Sequence, residues 1–280
     1  MDIVASIKDL RRSLRGQSWN LRTGLVPTMG ALHEGHLSLI AAAQQQASRV
    51  AATIFINPTQ FAPGEDLDSY PRTLEADLEA LEQAGCDVVF VPENTTMYPA
   101  GEVTRVRVPG PLSETLEGEH RPQFFEGVTT VVTKLLASAQ ADVAVFGEKD
   151  FQQLQVIRRM TADLLLGTEI VGAPTIRSAD GLALSSRNAY LSPEERVKAP
   201  ALHAALEQAR NAIARGEIPT VATDQAVDAI RQAGFGRVDY LAYRTASDLS
   251  APTAALPAGQ GRILAAAWLG QTRLIDNISA

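Results

Sequence analysis

The sequence predicts an α/β chain: a doubly wound parallel sheet followed by a second, smaller α+β C-terminal domain. Three observations predict it. Short apolar runs alternate with helix-period segments between residues 24 and 171, Gly or Pro closes several of them, and after Pro174 the pattern changes to Ala-rich helices followed by strand-like runs.

In chain order, Gly24 to Pro27 is an apolar strand whose Thr28-Met29-Gly30 turn leads into a helix over Leu37 to Ala43. Val50 to Ile56 is a β-branched run stopped by Asn57-Pro58, apolar enough for a central strand or for an interface. Leu74 to Ala84 has helical spacing and ends at Gly85, and Asp87 to Val91 is a strand closed by Pro92. From Glu93 to Phe125 the chain is rich in Pro, Gly and Glu, with one short strand expected at Val103 to Val108; such excursions often cover active sites. Then follow a helix over Val128 to Ala139, a strand over Asp142 to Phe146, a helix over Gln152 to Leu165 and a strand over Glu169 to Val171. Strands and helices in this alternation give right-handed crossovers and a Rossmann-like sheet. Beyond Pro174, Ile176 to Arg187 lacks a helical period. Ser192 and Glu195 form a capping-box pattern with Pro193 at the first helical position. Val238 to Tyr243 and Ile263 to Leu269 read as strands, and Leu274 to Ile278 less clearly so. The boundary falls near Pro174, dividing the chain into 1–174 and 175–280.

Composition narrows the function. Across 280 residues, 25 Lys and Arg against 32 Asp and Glu leave a formal charge of −7, which excludes a basic nucleic-acid coat. Hydrophobic residues at 45% and charged ones at 20% exclude whole-chain disorder. Met1 to Arg15 carries charges throughout, unlike a signal peptide, and no run is long and apolar enough for a membrane span. The single Cys86 excludes an intramolecular disulfide framework, four histidines leave little material for a zinc cage, and the expected compartment is the cytoplasm.

Four segments carry possible chemistry. Thr28-Met29-Gly30-Ala31-Leu32-His33-Glu34-Gly35-His36 follows a strand and enters a helix N-terminus, an end that attracts phosphate. In a helix, His33 and His36 share a face and offer two imidazoles to an anion, while Gly30 and Gly35 allow close backbone approach. A pair of surface histidines beside a turn is the plainer alternative; a metal pair lacks both the i,i+4 spacing and a third ligand. Phe146-Gly147-Glu148-Lys149-Asp150 ends a strand where open α/β sheets bind ligands, and a following helix places Lys149, Asp150 and Gln153 on one face. Asp180 to Asn188 offers Ser185, Ser186 and Arg187 after a glycine turn, either to wrap phosphates or as an ordinary polar loop with a cap serine. Asn57-Pro58-Thr59-Gln60-Phe61 offers uncharged amides at the sheet's ligand edge, or simply a Pro turn.

Together and in this order, these segments resemble the pantothenate synthetase family, ligases of pantoate and β-alanine that make an adenylate with ATP. The resemblance spans nearly the whole chain: P-T-M-G-A-L-H-E-G-H (27 to 36), N-P-T-Q-F (57 to 61), Y-P-R (70 to 72), G-E-K-D-F-Q-Q-L (147 to 154), I-R-R-M-x-x-D-L (157 to 164) and D-G-L-A-L-S-S-R-N-x-Y-L (180 to 191). It implies an ATP site of Met29, Gly30, Ala31, Leu32, His33, Glu34, Gly35, His36, Gly147, Glu148, Lys149, Asp150, Ile176, Leu184, Ser185, Ser186 and Arg187. It further implies pantoate held by Gln60 and Gln153, β-alanine held by Gln60, and catalytic roles for His36, His33, Lys149 and Arg187. Mg2+ accompanying ATP, a homodimer, and a 175–280 domain that closes over ATP are family expectations as well; the metal ligands stay unassigned. Two positions depart from the family. Phe124 stands where R-P-x-H-F has histidine, and Leu184 replaces the methionine of Met-Ser-Ser-Arg. Losing one neutral polar contact costs about 0.5–1.5 kcal/mol, so activity is expected to survive. Rivals are another H-x-G-H nucleotidyltransferase, a class I aminoacyl-tRNA synthetase, and a catalytically dead nucleotide-binding scaffold.

Overall fold

The computed structural model describes residues 1–15 and 20–280. Along the chain run β1 (Asp2–Val4), α1 (Ile7–Arg15), β2 (Thr23–Thr28), α2 (Glu34–Gln44), β3 (Arg49–Ile54), α3 (Leu74–Gln83), β4 (Val88–Phe90) and α4 (Asn94–Met97). The one-turn helices α5 (Pro111–Glu114) and α6 (Glu117–His120) lead to α7 (Phe124–Ala139), β5 (Val143–Gly147), α8 (Phe151–Asp163) and β6 (Glu169–Ala173). Then come α9 (Pro193–Lys198), α10 (Ala201–Ala214), α11 (Pro219–Gln232), β7 (Arg237–Thr245), β8 (Gly261–Leu269) and β9 (Thr272–Ser279). These elements fall into two compact units, one of Met1–Pro109, Arg121–Glu148 and Val156–Pro174, the other of Gly110–His120, Lys149–Gln155 and Thr175–Ala280.

The first unit is a six-stranded sheet of order β1-β4-β3-β2-β5-β6, parallel at every pairing. β3 is buried on both faces from Val50 to Ile54, which is what its unbroken apolar run demands of an interior parallel strand. Val50–Ile54 is therefore sheet core, while Phe55 and Ile56 have left the strand. Val26, Val50, Val89 and Val145 of the sheet pack with Ile40 of α2 and Leu81 of α3, each such side chain contributing about 1.5–3 kcal/mol when fully buried. The strand order reverses between β2 and β5. At such a point the carboxyl ends of the two strands open a crevice, and β2 and β5 are directly paired there through Gly24–Val143 and Leu25–Ala144.

One local expectation is overturned and two elements are added. No strand forms over Val103–Val108: Val103 is 83% exposed, and the Val106 N–H donates to Thr130 Oγ1 at 3.0 Å while its carbonyl accepts from Thr129 Oγ1 at 2.6 Å. Hydroxyls of α7 satisfy both main-chain groups of Val106, which therefore needs no ladder partner. β1 and α1 lie outside the sequence reading; α1 is anchored by only two fully buried residues, Leu10 and Leu14, among charged neighbours.

In the second unit, β7-β8-β9 form an antiparallel sheet, so the Leu274–Ile278 run is a strand. Leu202, Leu206 and Ala209 of α10 and Ala222, Ala226 and Ile230 of α11 bury against Ile263, Ala265 and Ala267 of β8. On the other face of β8, Leu264 meets Leu116, Phe151 and Leu249. The Ser192–Glu195 capping box and Pro193 start α9 as expected. Gln152 explains why residues 110–120 and 149–155 travel together: it accepts from the Glu117 N–H at 3.1 Å and donates to the carbonyls of Leu112 and Thr115 at 3.0 and 2.8 Å. Glu117 in turn accepts from Arg273 of β9 at 2.6 Å, and Arg273 Nε reaches Asp239 at 2.7 Å. Among the described residues no helix is long and apolar enough to cross a membrane.

Candidate active site

The chain leaves β2 through a turn that needs unusual backbone. Gly30 has φ +83° and Ala31 φ +51°. A Cβ on Gly30 would lie 2.9 Å from Asp77 Oδ2 and 3.2 Å from Ile54 Cγ2, so both conformation and space require glycine. Asp77 of α3, 3% exposed, organises the turn: its Oδ2 accepts the Ala31 N–H at 2.9 Å and its Oδ1 the Leu32 N–H at 2.8 Å, with Thr73 Oγ1 at 3.2 Å from the same Oδ1. In the sequence Asp77 is one acid among several on a helix, and nothing in its spacing set it apart.

His33 and His36 come together, but not as residues on one helical face. His33 is the N-cap of α2 with extended backbone, and His36 is the third helical residue. His33 Nδ1 accepts the Gly35 N–H at 3.1 Å, and His36 Nδ1 accepts the His33 N–H at 3.3 Å. The ring centroids are 4.1 Å apart. Because each Nδ1 is an acceptor, each neutral imidazole carries its hydrogen on Nε2, the tautomer that donates to an anion.

At the end of β3, Asn57 is a hub that sequence reading named only as part of a motif. It is 1% exposed. Its Nδ2 donates to Gln60 Oε1 at 3.0 Å and to the Gly127 carbonyl at 3.2 Å, while its Oδ1 accepts from Thr59 Oγ1 at 2.9 Å and Tyr98 Oη at 2.6 Å. Gln60 Nε2 lies 3.2 Å from Met29 Sδ, which joins the amide to the glycine-rich turn. The Arg121 guanidinium grips Glu65 with Nε and Nη2 at 2.7 and 2.6 Å, donates to the Gln60 carbonyl at 3.3 Å, and lies 3.9 Å over the Phe124 ring. The departure at Phe124 thus exchanges a polar side chain for an aromatic cover on this ion pair.

Beside β2, β5 delivers Gly147 and Glu148 to the same end of the sheet. Glu148–Asp150 is a 3-10 turn and α8 starts only at Phe151, so the shared helical face expected for Lys149, Asp150 and Gln153 does not form as an α-helical face. Lys149 Nζ lies 4.0 Å from Asp150 Oδ2, and Gln153 is half-buried. In the second unit, residues 176–184 form a hairpin. The Leu184 N–H donates to the Ile176 carbonyl at 2.9 Å, Arg177 bridges Ala183, and Gly181 turns at φ +94°. This pairing brings Ile176 and Leu184 together. Ser185 caps the 3-10 turn Ser186–Tyr190 by accepting the Arg187 N–H at 3.3 Å, which leaves its hydroxyl proton to donate elsewhere.

Among the described residues no group of three or more His, Cys, Asp or Glu could by itself hold a metal ion. Cys86 is buried, and burial pushes its thiol pKa up to about 11, the opposite of an activated nucleophile.

A model of the pantoate-beta-alanine ligase family matches residues 2–279. The pantothenate synthetase of Caulobacter vibrioides is 57% identical over 280 residues, covering 99% of this chain and 98% of its own length. The crystal structure of pantothenate synthetase from Thermus thermophilus matches with a TM-score of 0.94 at 45% identity, over 99% of each chain. That of the pantoate-beta-alanine ligase from Francisella tularensis, complexed with beta-gamma ATP and beta-alanine, matches with a TM-score of 0.83 at 32% identity, over 100% of this chain and 97% of that one.

Proposed function

Since this chain belongs to the pantoate-beta-alanine ligase family, we propose that it condenses pantoate with β-alanine, using ATP and releasing AMP and pyrophosphate through a pantoyl adenylate. The observation that carries the reading is the His33–His36 cap at the exit of β2, in a chain matched by that family over residues 2–279.

In the first step a carboxylate oxygen of pantoate attacks the α-phosphorus of ATP in line, and the bond to the β-phosphate oxygen breaks as pyrophosphate leaves. Such chemistry depends on positioning and charge stabilisation. Met29 to His36, Gly147 to Asp150, Ile176 and Leu184 to Arg187 bind ATP. Within that set, His36, His33, Lys149 and Arg187 act on the phosphates, while Ser185 and Ser186 donate hydroxyl hydrogen bonds. Mg2+ accompanying the triphosphate would neutralise further charge, with Asp150, the carboxylate beside Lys149, either supporting the ion or orienting the lysine.

Gln60 and Gln153 hold pantoate. Neutral amides orient its carboxylate and hydroxyls without the ground-state stabilisation that an arginine clamp would impose on the nucleophile. The Asn57 and Met29 contacts fix which way the Gln60 amide points. In the second step the neutral amine of β-alanine, held at Gln60, attacks the acyl carbon. The C–N bond forms, the bond from the acyl carbon to the AMP oxygen breaks, and the nitrogen loses a proton; no enzyme nucleophile takes part. The working state is a cytoplasmic homodimer, which sedimentation tests. Incubation with pantoate, β-alanine and MgATP tests the reaction itself: pantothenate and AMP in equal amounts support it, and ADP in place of AMP, or no pantothenate, refutes it.

A further inference from the structure

Two stretches that the proposed function assigns to the phosphates, Lys149–Asp150 and 176–187, are tied to one dipeptide of β9. Asn277 is 3% exposed. Its Nδ2 donates to the main-chain carbonyl of Lys149 at 2.7 Å, and its Oδ1 accepts from Arg262 Nε at 2.6 Å. The Arg262 guanidinium also lies 4.0 Å over the ring of Phe151, two residues past Lys149. Asp276, 4% exposed, faces the other side of the sheet, as alternation along a strand requires. There it takes the Arg177 fork, Nη1 to Oδ2 at 2.6 Å and Nη2 to Oδ1 at 2.8 Å, with His203 Nδ1 at 3.4 Å. Arg177 passes this anchorage on to the hairpin, because its Nη1 also donates to the Gly181 carbonyl at 3.1 Å and its backbone bridges Ala183.

We infer that Asn277 is a positioning residue for Lys149 and that the Asp276–Asn277 pair sets the register of both phosphate-binding segments from a single strand. The bond from Asn277 is to a main-chain carbonyl, so it fixes the turn that carries Lys149 whatever rotamer the lysine adopts. Only an amide meets both demands on this side chain. Arg262 needs an acceptor, and the Lys149 carbonyl needs a donor; a carboxylate of the same shape serves the first and sets a second oxygen against the carbonyl. The Asp276 carboxylate is matched in the same way to the bidentate fork of Arg177. The inference rests on the assignment of Lys149 and Ser185 to Arg187 to the phosphates.

The test is pantoate-dependent exchange of pyrophosphate into ATP, with thermal melting alongside, for Asn277→Asp, Lys149→Ala, the double variant and Asp276→Asn. Asn277→Asp is expected to lower kcat/KM for ATP by about 10- to 100-fold, the scale of a displacement of around 1 Å. It leaves the KM for pantoate within about twofold and adds no loss in the Lys149→Ala background, where the group it positions is already gone. Asp276→Asn raises the KM for ATP by the same route. A residue that only stabilised the fold would lower Tm and leave the KM for ATP untouched. Unchanged ATP kinetics in Asn277→Asp while Lys149→Ala is impaired, or losses that multiply in the double variant, overturn the inference; an unchanged KM for ATP in Asp276→Asn overturns its shared-strand part. An unimpaired Lys149→Ala overturns the underlying assignment, and the inference with it. Should Asn277→Asp fail to fold, Asn277→Ser, whose hydroxyl is too short to reach the Lys149 carbonyl, is held to the same criteria.

Discussion

Replacing Asp77 by Asn isolates what holds the turn after β2. The carboxylate accepts two main-chain N–H groups, from Ala31 and Leu32, at 2.9 and 2.8 Å. Hydrogen bonds to a charged group contribute about 1.5–3 kcal/mol each, against roughly 1–2 kcal/mol for holding a non-glycine residue such as Ala31 at positive φ. In the parent the bonds outweigh the strain. An amide keeps one acceptor and turns an NH2 toward the other N–H, leaving one neutral bond of about 1 kcal/mol, which no longer does so. Two bonds of about 3–6 kcal/mol together give way to about 1, a loss of about 2–5 kcal/mol, or about 3–9 °C in Tm for 280 residues. The relaxed turn also displaces His33 and Met29, so KM for ATP in pyrophosphate exchange rises about tenfold or more while the KM for pantoate moves less. Melting and ATP titration of the same preparation read both effects. A variant that melts within about 1 °C of the parent with an unchanged KM for ATP refutes the reasoning.

Three further outcomes are expected. Gly127→Ala places a Cβ 2.7 Å from Gln60 Cα, costs about 1–3 kcal/mol as overpacking against backbone, and raises the KM for pantoate, read by steady-state kinetics; wild-type stability and KM would contradict the close packing. Phe124→His removes the ring under the Arg121 guanidinium, keeps activity within about tenfold, and makes Tm fall as pH drops below about 6.5, where an imidazolium would face that cation; an unaltered Tm profile would contradict this. Burial opposes ionisation of Asp276, but the nearby His203 ring and the hydrogen-bonded Arg177 fork outweigh it and hold its pKa below the ordinary carboxylate value. Its stabilisation is therefore complete above the unfolded value of about 3.9 and is lost as pH falls through the lower folded value, so Asp276→Asn flattens that part of the acid-unfolding curve. A curve parallel to the parent's would refute the linkage.

What could be read from the sequence depended on whether the signal was local. Interior strands announced themselves because both faces are buried, as Val50–Ile54 shows, and the Ser192–Glu195 cap was legible because its partners are three residues apart. The Val103–Val108 run failed as a strand because its backbone partners are hydroxyls of Thr129 and Thr130, more than twenty positions away. His33 and His36 were recognised as a pair, yet their geometry follows from reciprocal capping rather than helical periodicity. Asp77 and Asn277 stayed hidden, and Asn57 was read as a motif amide without its contacts, for a common reason: each acts on main-chain groups that only the fold brings near, and an isolated Asp or Asn carries no spacing that reveals such a partner.

The central claim is that the chain forms an acyl adenylate with the His33–His36 cap at the phosphates. Pantoate-dependent exchange of labelled pyrophosphate into ATP, with Mg2+ and without β-alanine, tests it most directly, with His36→Ala as control. The account predicts exchange by the parent and a severe loss in the control. Absence of exchange in a folded parent that binds ATP, or full exchange by His36→Ala, would contradict it.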